Sequence, residues 1–266
     1  MAFRPPLTIV IPVYNEGANF KALWSVIASS IRTPFGAIVV YDFEQDDTVP
    51  VVAEVVASGE SRITLRKNGY GRGVTGAIKT GLEAVESGSV LVTMADLSDD
   101  LTQVDEMYGL YLEGFDLVCG SRYMKGGRLI GGPFFKQALS RMSGLSLHYL
   151  RGIPTHDATN SFKLYDAAMV RTLSIESVAG FELGLELTVK AFLNGYRITE
   201  IASTWRDRTA GSSQFRILQW LPHYLKWYFY AFQPVRTSER AARSAGSSEP
   251  ERMPPSMPAG KRRMDP

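Results

Sequence analysis

The acidic residues of this chain of 266 gather at a few points that could do chemistry. Asp42 closes an apolar run over Ala37 to Asp42, and Asp96 follows a second at Val90 to Met94, with Asp99 and Asp100 close behind. Carboxylates at strand ends can hold a hard divalent cation or bind a ribose and a base. Strand-end aspartates also serve as ordinary caps and turn formers. Asp96, Asp99 and Asp100 repel one another unless water or a cation relieves them, and Asp100 is better placed to cap the next helix than to ligate. Arg122, Arg141 and Arg208 fall in or near loops and helix ends, and guanidinium is the natural bidentate partner of phosphate, although most arginines are solvated surface. Gly69-Tyr70-Gly71-Arg72-Gly73 puts glycines ahead of a helix, as a phosphate-cradling loop or a tight turn would. It is neither GxxxxGK[ST] nor a GxGxxG after the first strand, which disfavours a P-loop NTPase and a standard dinucleotide-binding module.

Short β-branched runs alternating with helical periodicity must position these groups, and that alternation predicts βαβ units around a mostly parallel sheet. Leu7 to Val13 reads as a first buried strand, followed by a helix with Phe20, Leu23, Trp24, Ile27 and Ile31 on one side and Asn15 or Asn19 as its cap. Further strands are predicted at 37–42, 63–65, 90–94 and 115–120, with helices at 49–57 and from the Gly-rich turn through Glu86. Polar residues gather where strands stop, so these tips should share one crevice at the carboxyl edge of the sheet. Later segments predict helices over 134–150 and 181–194 and one strand over 197–205. An aromatic-rich stretch follows over 214–232, with Pro222 inside it.

Composition excludes several classes. Net charge is +2, far from the basic bias of a nucleic-acid-binding domain, and most of it sits in residues 234–266, which carry net +3 against −1 for the rest. Cys119 is the only cysteine, which rules out a disulfide scaffold within one chain and any Cys-based zinc site. His148, His156 and His223 are the only histidines; no HExxH or GxSxG occurs, which argues against a hydrolase. No apolar run reaches the roughly 18 residues of a membrane-spanning helix, and the first residues lack a signal-peptide pattern. A cytoplasmic protein, or one peripheral on the cytosolic face of a membrane, is expected. Residues 234–266 are rich in Ser, Pro, Ala, Gly and charge and should be disordered.

The ensemble resembles family 2 glycosyltransferases. Ile9-Val10-Ile11-Pro12-Val13-Tyr14-Asn15-Glu16 is similar to that family's first strand, and Val40-Tyr41-Asp42 with Asp46-Asp47-Thr48 to its acidic second-strand loop. Ala95-Asp96-Leu97-Ser98-Asp99 resembles its metal-site segment, and Gly120-Ser121-Arg122-Tyr123-Met124-Lys125-Gly126-Gly127 the dolichol-phosphate mannosyltransferase form. Asp157-Ala158-Thr159-Asn160-Ser161-Phe162 is similar to a DxTSGF-like segment, and Asp207-Arg208 with Gly211 and Ser213 to the loop that closes on the acceptor.

The resemblance implies a GT-A fold over residues 1–233, with a nucleotide-sugar half at 7–122, an acceptor half at 123–215 and an amphipathic segment at 216–233. It implies a nucleoside-diphosphate sugar donor of the GDP-mannose or UDP-glucose type and Mg²⁺ or Mn²⁺ on its diphosphate. Pro12, Tyr14, Glu16 and Asp42 would hold the nucleotide, together with Asp96. Asp96 and Ser98 would ligate the metal, and Arg122, Arg141 and Arg208 would bind phosphate groups of the donor and a polyprenyl phosphate acceptor. Asp96, Arg122 and Arg208 are the residues expected to carry catalysis. A phosphate acceptor is already an anion at pH 7 and needs no strong base; inversion at the anomeric carbon would follow from attack opposite the diphosphate. A glycan or small hydroxylated acceptor would need a base, for which Glu182, Glu186 and Asp157 are candidates. The chain departs from the family at Met94, where Asp-Xaa-Asp has its first carboxylate, and at Gln214, where Lys is common. The first departure weakens the metal site or hands the role to Asp99, and the two together leave open a silent nucleotide-sugar-binding protein. The aromatics of 220–232 suit a bilayer interface, or packing against the body or a second subunit of a homo-oligomer.

Overall fold

The computed structural model describes residues 7–178, 180–207 and 217–235. In chain order the elements are β1 (Leu7–Val13), α1 (Gly17–Ser30), β2 (Phe35–Tyr41), α2 (Thr48–Ala57), β3 (Ile63–Lys67), α3 (Val74–Glu83) and β4 (Ser89–Val92). A 3₁₀ turn (Leu101–Gln103) leads into α4 (Val104–Leu112), then β5 (Leu117–Ser121), β6 (Arg128–Ile130), α5 (Phe134–Arg151) and β7 (Lys163–Asp166). The remainder is α6 (Ala167–Thr172), α7 (Leu183–Leu193), β8 (Ile198–Ala202), β9 (Thr204–Arg206) and α8 (Ile217–Tyr230).

Seven strands form one sheet in the order β3-β2-β1-β4-β7-β5-β8, in which only β7 runs antiparallel to its neighbours. β6 and β9 form a separate parallel pair. β1 reads as a continuous apolar run because both faces of the sheet are covered. Ile9 and Ile11 join Phe20, Leu23 and Ile27 of α1 on one face. Val10, between them, meets Ala77, Ile78 and Leu82 of α3 on the other. Gly81 lets α3 lie directly on the sheet, since a Cβ there would overlap Val10 Cγ1. A third apolar cluster joins Leu147 of α5, Leu185 and Val189 of α7, and Trp227 of α8 with Ala231 just after it.

Four expectations need correction. Neither Asn15 nor Asn19 caps α1. Glu16 is its N-cap residue, and the helix start is held from elsewhere: Glu16 N donates to Thr48 Oγ1 at 2.9 Å and Gly17 N to Asp47 Oδ1 at 2.9 Å. The single strand expected over 197–205 is two, because the chain leaves β5 at buried Ser203 and continues beside β6; Ser203 N donates to Ser121 O and its carbonyl accepts from Arg128 N. β7 was not expected, since Lys163 and Asp166 break its apolar pattern. Lys163 is nevertheless fully buried, with its Nζ donating to Ala158 O and Asn160 O. The helix after the Gly-rich turn ends at Glu83 rather than Glu86. Of residues 234–266, expected to be disordered, 236–266 lie outside the described residues, as does the loop 208–216 with Arg208, Gly211, Ser213 and Gln214.

Candidate active site

Because β2, β1, β4 and β5 point the same way, the residues that follow them emerge along one edge of the sheet. Pro12 is buried within β1, paired with Val40, and Tyr14 emerges half-exposed beyond its end. Tyr14 sets its ring edge-on to Phe43 at 5.6 Å, and the Arg72 guanidinium lies 4.6 Å from the other partner of this group, the Phe43 ring centroid. The loop between Tyr14 and α1 is fastened by buried Asp46, which accepts from Asn15 N at 3.1 Å and Thr48 N at 2.9 Å. Asn15 itself has φ +53°, the left-handed region that asparagine tolerates. Glu16 accepts from Asn19 Nδ2 at 2.8 Å.

Asp42 binds the Gly-rich segment to the tip of β2. It accepts from Asn68 Nδ2 at 2.7 Å and from Gly73 N at 2.8 Å, and Asn68 Nδ2 also reaches Gly71 O. Gly71 and Gly73 have φ +82° and +133°, so the sequence needs glycine on both sides of Arg72. The segment is therefore a turn that presents Arg72 beside the β2 tip. Tyr14, Asp42, Phe43 and Arg72 make an open shelf with a π-face, a carboxylate and a cation, suited to a nucleobase.

Beyond β4, Met94 packs into the cluster on the α3 side, which explains why no carboxylate stands there. Asp96 accepts from Ser98 N at 3.1 Å across Leu97, whose φ is +60°. Buried Ser98 accepts at its carbonyl from Arg206 N at 2.9 Å. Asp99 Oδ2 accepts from Thr93 Oγ1 at 2.9 Å and Met94 N at 3.2 Å. Burial, and then the Asp96 charge, push the Asp99 carboxyl up to about 7. Asp100 caps the 3₁₀ turn through Thr102 N, as expected for it.

Among the described residues no group of three or more His, Cys, Asp or Glu side chains is gathered to hold a metal. Asp96 and Asp99 nonetheless form a carboxylate pair close enough to raise one proton affinity, a repulsion that a divalent cation would relieve. Two hard oxygen donors, completed by diphosphate and water, fit the way Mg²⁺ is commonly bound.

After β5, Arg122 turns onto Asp157. Arg122 Nε lies 2.6 Å from Asp157 Oδ2 and Nη2 2.9 Å from Oδ1, and Arg122 N also donates to Oδ2 at 3.1 Å. Burial opposes the charge on Asp157, but the guanidinium outweighs it and holds the carboxyl below its ordinary range. Arg122 also feels the charge of Asp99, which ties the β5 tip electrostatically to the Asp96 loop. Arg122 and Arg141 together line a cavity of about 480 Å³ whose other walls include Met124, Leu129 and Phe134. Thus the fold brings Asp96, Asp99 and Arg122 together and Arg122 with Arg141. Asp42 stands at the tip of β2, two strand spacings or about 10 Å from the β4 tip.

Two of the three candidate bases are held by charged partners. Asp157 holds Arg122, while buried Glu186 accepts from Glu176 N and Ser177 N and pairs with Lys190 at 2.7 Å. Buried Glu182 accepts from Val178 N at 3.2 Å. Cys119 is no nucleophile, because burial pushes its thiol up to about 12. Sequence reasoning missed Phe43 and Arg72 as site residues and Asp157 as the partner of Arg122. The glycines around Arg72 were the one visible signal.

A mostly parallel sheet flanked by helices, with an acidic segment after β4 at its carboxyl edge, is the GT-A arrangement. Residues 8–173 match glycosyl transferase family 2. The chain belongs to this family and is a glycosyltransferase. It is 25% identical over 227 residues to the polyprenol monophosphomannose synthase of Mycolicibacterium smegmatis, covering 80% of this chain and 85% of that protein. It is 26% identical to the dolichol-phosphate mannosyltransferase of Pyrococcus furiosus over 83% of this chain, spanning only 64% of that protein. In fold it is similar to a mannosyltransferase from Pyrobaculum calidifontis in complex with GDP-Man and Mn²⁺, with TM-score 0.59 and 16% identity over 91% of this chain and 65% of that one.

Proposed function

We propose that this glycosyltransferase moves a hexose, with mannose from GDP-mannose as the favoured donor, to a polyprenyl phosphate at a membrane surface. The observation that carries the acceptor is the cavity in which Arg122 and Arg141 stand beside Met124, Leu129 and Phe134. Two guanidinium groups beside Met124, Leu129 and Phe134 suit a phosphate joined to a hydrocarbon chain, and Tyr123 and Gln137 supply the polar part of the same wall. The ion pairs that hold Asp157 and Glu186 support the same acceptor, since a phosphate oxygen attacks as an anion without a base. The names of the two mannosyl-transferring relatives support mannose.

In this reading Tyr14, Phe43 and Arg72 hold the base, with Asp42 at the edge of the shelf, and Pro12 and Glu16 shape the loop beneath it. Asp96 and Asp99 would hold Mg²⁺ or Mn²⁺, which when bound neutralises charge on the departing diphosphate. Arg122 and Arg141 orient the acceptor phosphate so that its oxygen approaches the anomeric carbon opposite the diphosphate, inverting that centre. Orientation and fixed positive charge do most of the work.

No helix among the described residues is long and apolar enough to cross a membrane. Two helices nevertheless carry exposed apolar residues. On α5, Phe135, Met142 and Tyr149 are 63%, 65% and 72% exposed and recur every seventh residue along one side, and Phe134 stands at the cavity wall. On α8, Leu225, Phe229 and, just beyond, Phe232 are exposed, while Trp227 is buried in the third cluster. The aromatic stretch thus both packs on the body and presents an apolar side, which supports docking on a bilayer.

The purified chain with Mn²⁺ and radiolabelled GDP-mannose is expected to label a polyprenyl phosphate in vesicles. UDP-glucose and a soluble oligosaccharide serve as the competing donor and acceptor. Transfer to the oligosaccharide alone, or nucleotide binding without any turnover, would reject this function.

A further inference from the structure

Behind the Arg122–Asp157 pair stands a second carboxylate that the chemistry above does not use. Glu200 lies on β8, opposite Cys119 of β5, with its side chain 11% exposed. It takes three hydrogen bonds from two consecutive residues: Thr155 Oγ1 donates to Oε2 at 3.0 Å, His156 N donates to Oε2 at 2.7 Å, and His156 Nδ1 lies 2.5 Å from Oε1. Facing a carboxylate, Nδ1 carries the ring proton. The His156 ring is held on its other side by His148, stacked at 3.9 Å, and His148 Nδ1 is itself 2.8 Å from Ile153 O.

The contacts continue toward the cavity. A hydroxyl has one proton, and that of Thr155 goes to Glu200, which leaves its lone pairs for the N–H of Asp157 at 3.1 Å. Asp157 then grips Arg122 through the guanidinium and the backbone N–H. Ser140 and Thr159 complete the group, accepting from Arg122 Nη2 at 3.1 and 3.4 Å. Gly144 of α5 makes this assembly fit, since a Cβ there would overlap His156 O. Arg122 Nη1 takes part in none of these bonds, and Arg122 lines the cavity.

We infer that Glu200 is a positioning residue for phosphate recognition, acting through Thr155 and Asp157 to fix the guanidinium of Arg122 at the cavity wall. The inference rests on the acceptor site proposed above. What Glu200 supplies is hydrogen-bond acceptance: its two oxygens hold the 155–156 backbone in the one arrangement that aims Asp157. A glutamine in its place accepts from Thr155 and His156 N through its carbonyl oxygen, while its amide faces a His156 ring in the other tautomer. Alanine does neither.

Two readouts on the full chain test this. The first needs no turnover: the rate at which phenylglyoxal modifies Arg122, followed by peptide mass spectrometry, with Arg32, whose side chain is 90% exposed, as an internal reference. The second is steady-state transfer from GDP-mannose to geranyl phosphate with Mn²⁺. Glu200→Ala is expected to speed Arg122 modification and to raise KM for geranyl phosphate about tenfold, as loss of hydrogen bonds to a charged group would, while KM for GDP-mannose stays within about twofold. Thr155→Val, which removes only the linking hydroxyl, should move both readouts the same way. Glu200→Gln should stay close to wild type in both. Unchanged Arg122 modification in both Glu200→Ala and Thr155→Val overturns the inference, as does a parallel rise of the two KM values, or a Glu200→Gln that behaves as Glu200→Ala. If wild type transfers nothing to geranyl phosphate, the proposed acceptor is rejected, and the modification rates still decide whether Glu200 positions Arg122.

Discussion

Arg122 and Asp157 meet in a two-pronged ion pair, 2.6 Å between Nε and Oδ2 and 2.9 Å between Nη2 and Oδ1, with the carboxylate wholly buried. Geometry of this kind fixes a guanidinium in direction as well as charge. It also makes the two residues interdependent, because a buried ion that loses its partner keeps the cost of having left water.

Replacing Asp157 by alanine is therefore expected to destabilise the protein by about 3 kcal/mol, read from urea denaturation, and to abolish transfer. The pair should be strongly coupled. In a double-mutant cycle, adding Arg122→Met to Asp157→Ala should cost much less than Arg122→Met does in the wild type, and simple addition of the two losses would argue against the pairing.

A divalent cation bound by Asp96 and Asp99 should raise the thermal midpoint in the presence of GDP, because a ligand that binds only the folded form stabilises it. Asp96→Asn and Asp99→Asn should each remove most of the increment produced by Mn²⁺, and chelation by EDTA should reverse it in wild type. An undiminished Mn²⁺ increment in both variants would move the metal elsewhere.

Acid stability has a specific source at Glu60. Its hydrogen bonds from Arg62, at 2.8 and 2.7 Å, lead the causes that lower its carboxyl to about 2, and Trp24 Nε1 adds another at 3.1 Å. A carboxyl held below its unfolded value stabilises the fold above that value and loses the contribution as pH falls through the folded one. Glu60→Gln should thus cost about 1 kcal/mol at pH 7, and the gap from wild type should close between about pH 4.5 and 2. Urea midpoints of both proteins at pH 7 and pH 2.5 would check it; a gap that does not narrow in acid rules this source out.

The exposed apolar side of α5 and α8 should govern membrane attachment separately from chemistry. Changing Phe135, Met142 and Phe229 together to serine is expected to reduce co-sedimentation with phospholipid vesicles severalfold. Turnover of a short, water-soluble isoprenyl phosphate should remain close to wild type. Vesicle binding that survives the triple change would place the contact on another surface.

Some of this molecule was open to inspection before any coordinates. β1 was legible over all of Leu7–Val13, because a strand covered on both faces is written as one unbroken apolar run. The alternation of such runs with amphipathic segments declared the sheet class, and Asp42, Asp96 and Arg122 could be set at strand tips on that basis. The start of α1 could not be read, because the groups that satisfy its first N–H donors belong to Asp47 and Thr48, some thirty residues on. β7 was hidden by Lys163, whose burial is tolerable only where the carbonyls of Ala158 and Asn160 are already in place to receive its ammonium.

Local sequence alone thus settled which residues are apolar, where strands and helices recur, and which polar types end each strand, since these follow from short-range periodicity and composition. Tertiary structure alone decided the partners: Asp157 for Arg122, the α3-side core for Met94, and Arg141 on the same cavity as Arg122. Ion pairs and hydrogen bonds depend on separations of a few ångströms in space, and residues far apart in the chain acquire those separations only when the sheet and its helices close around them.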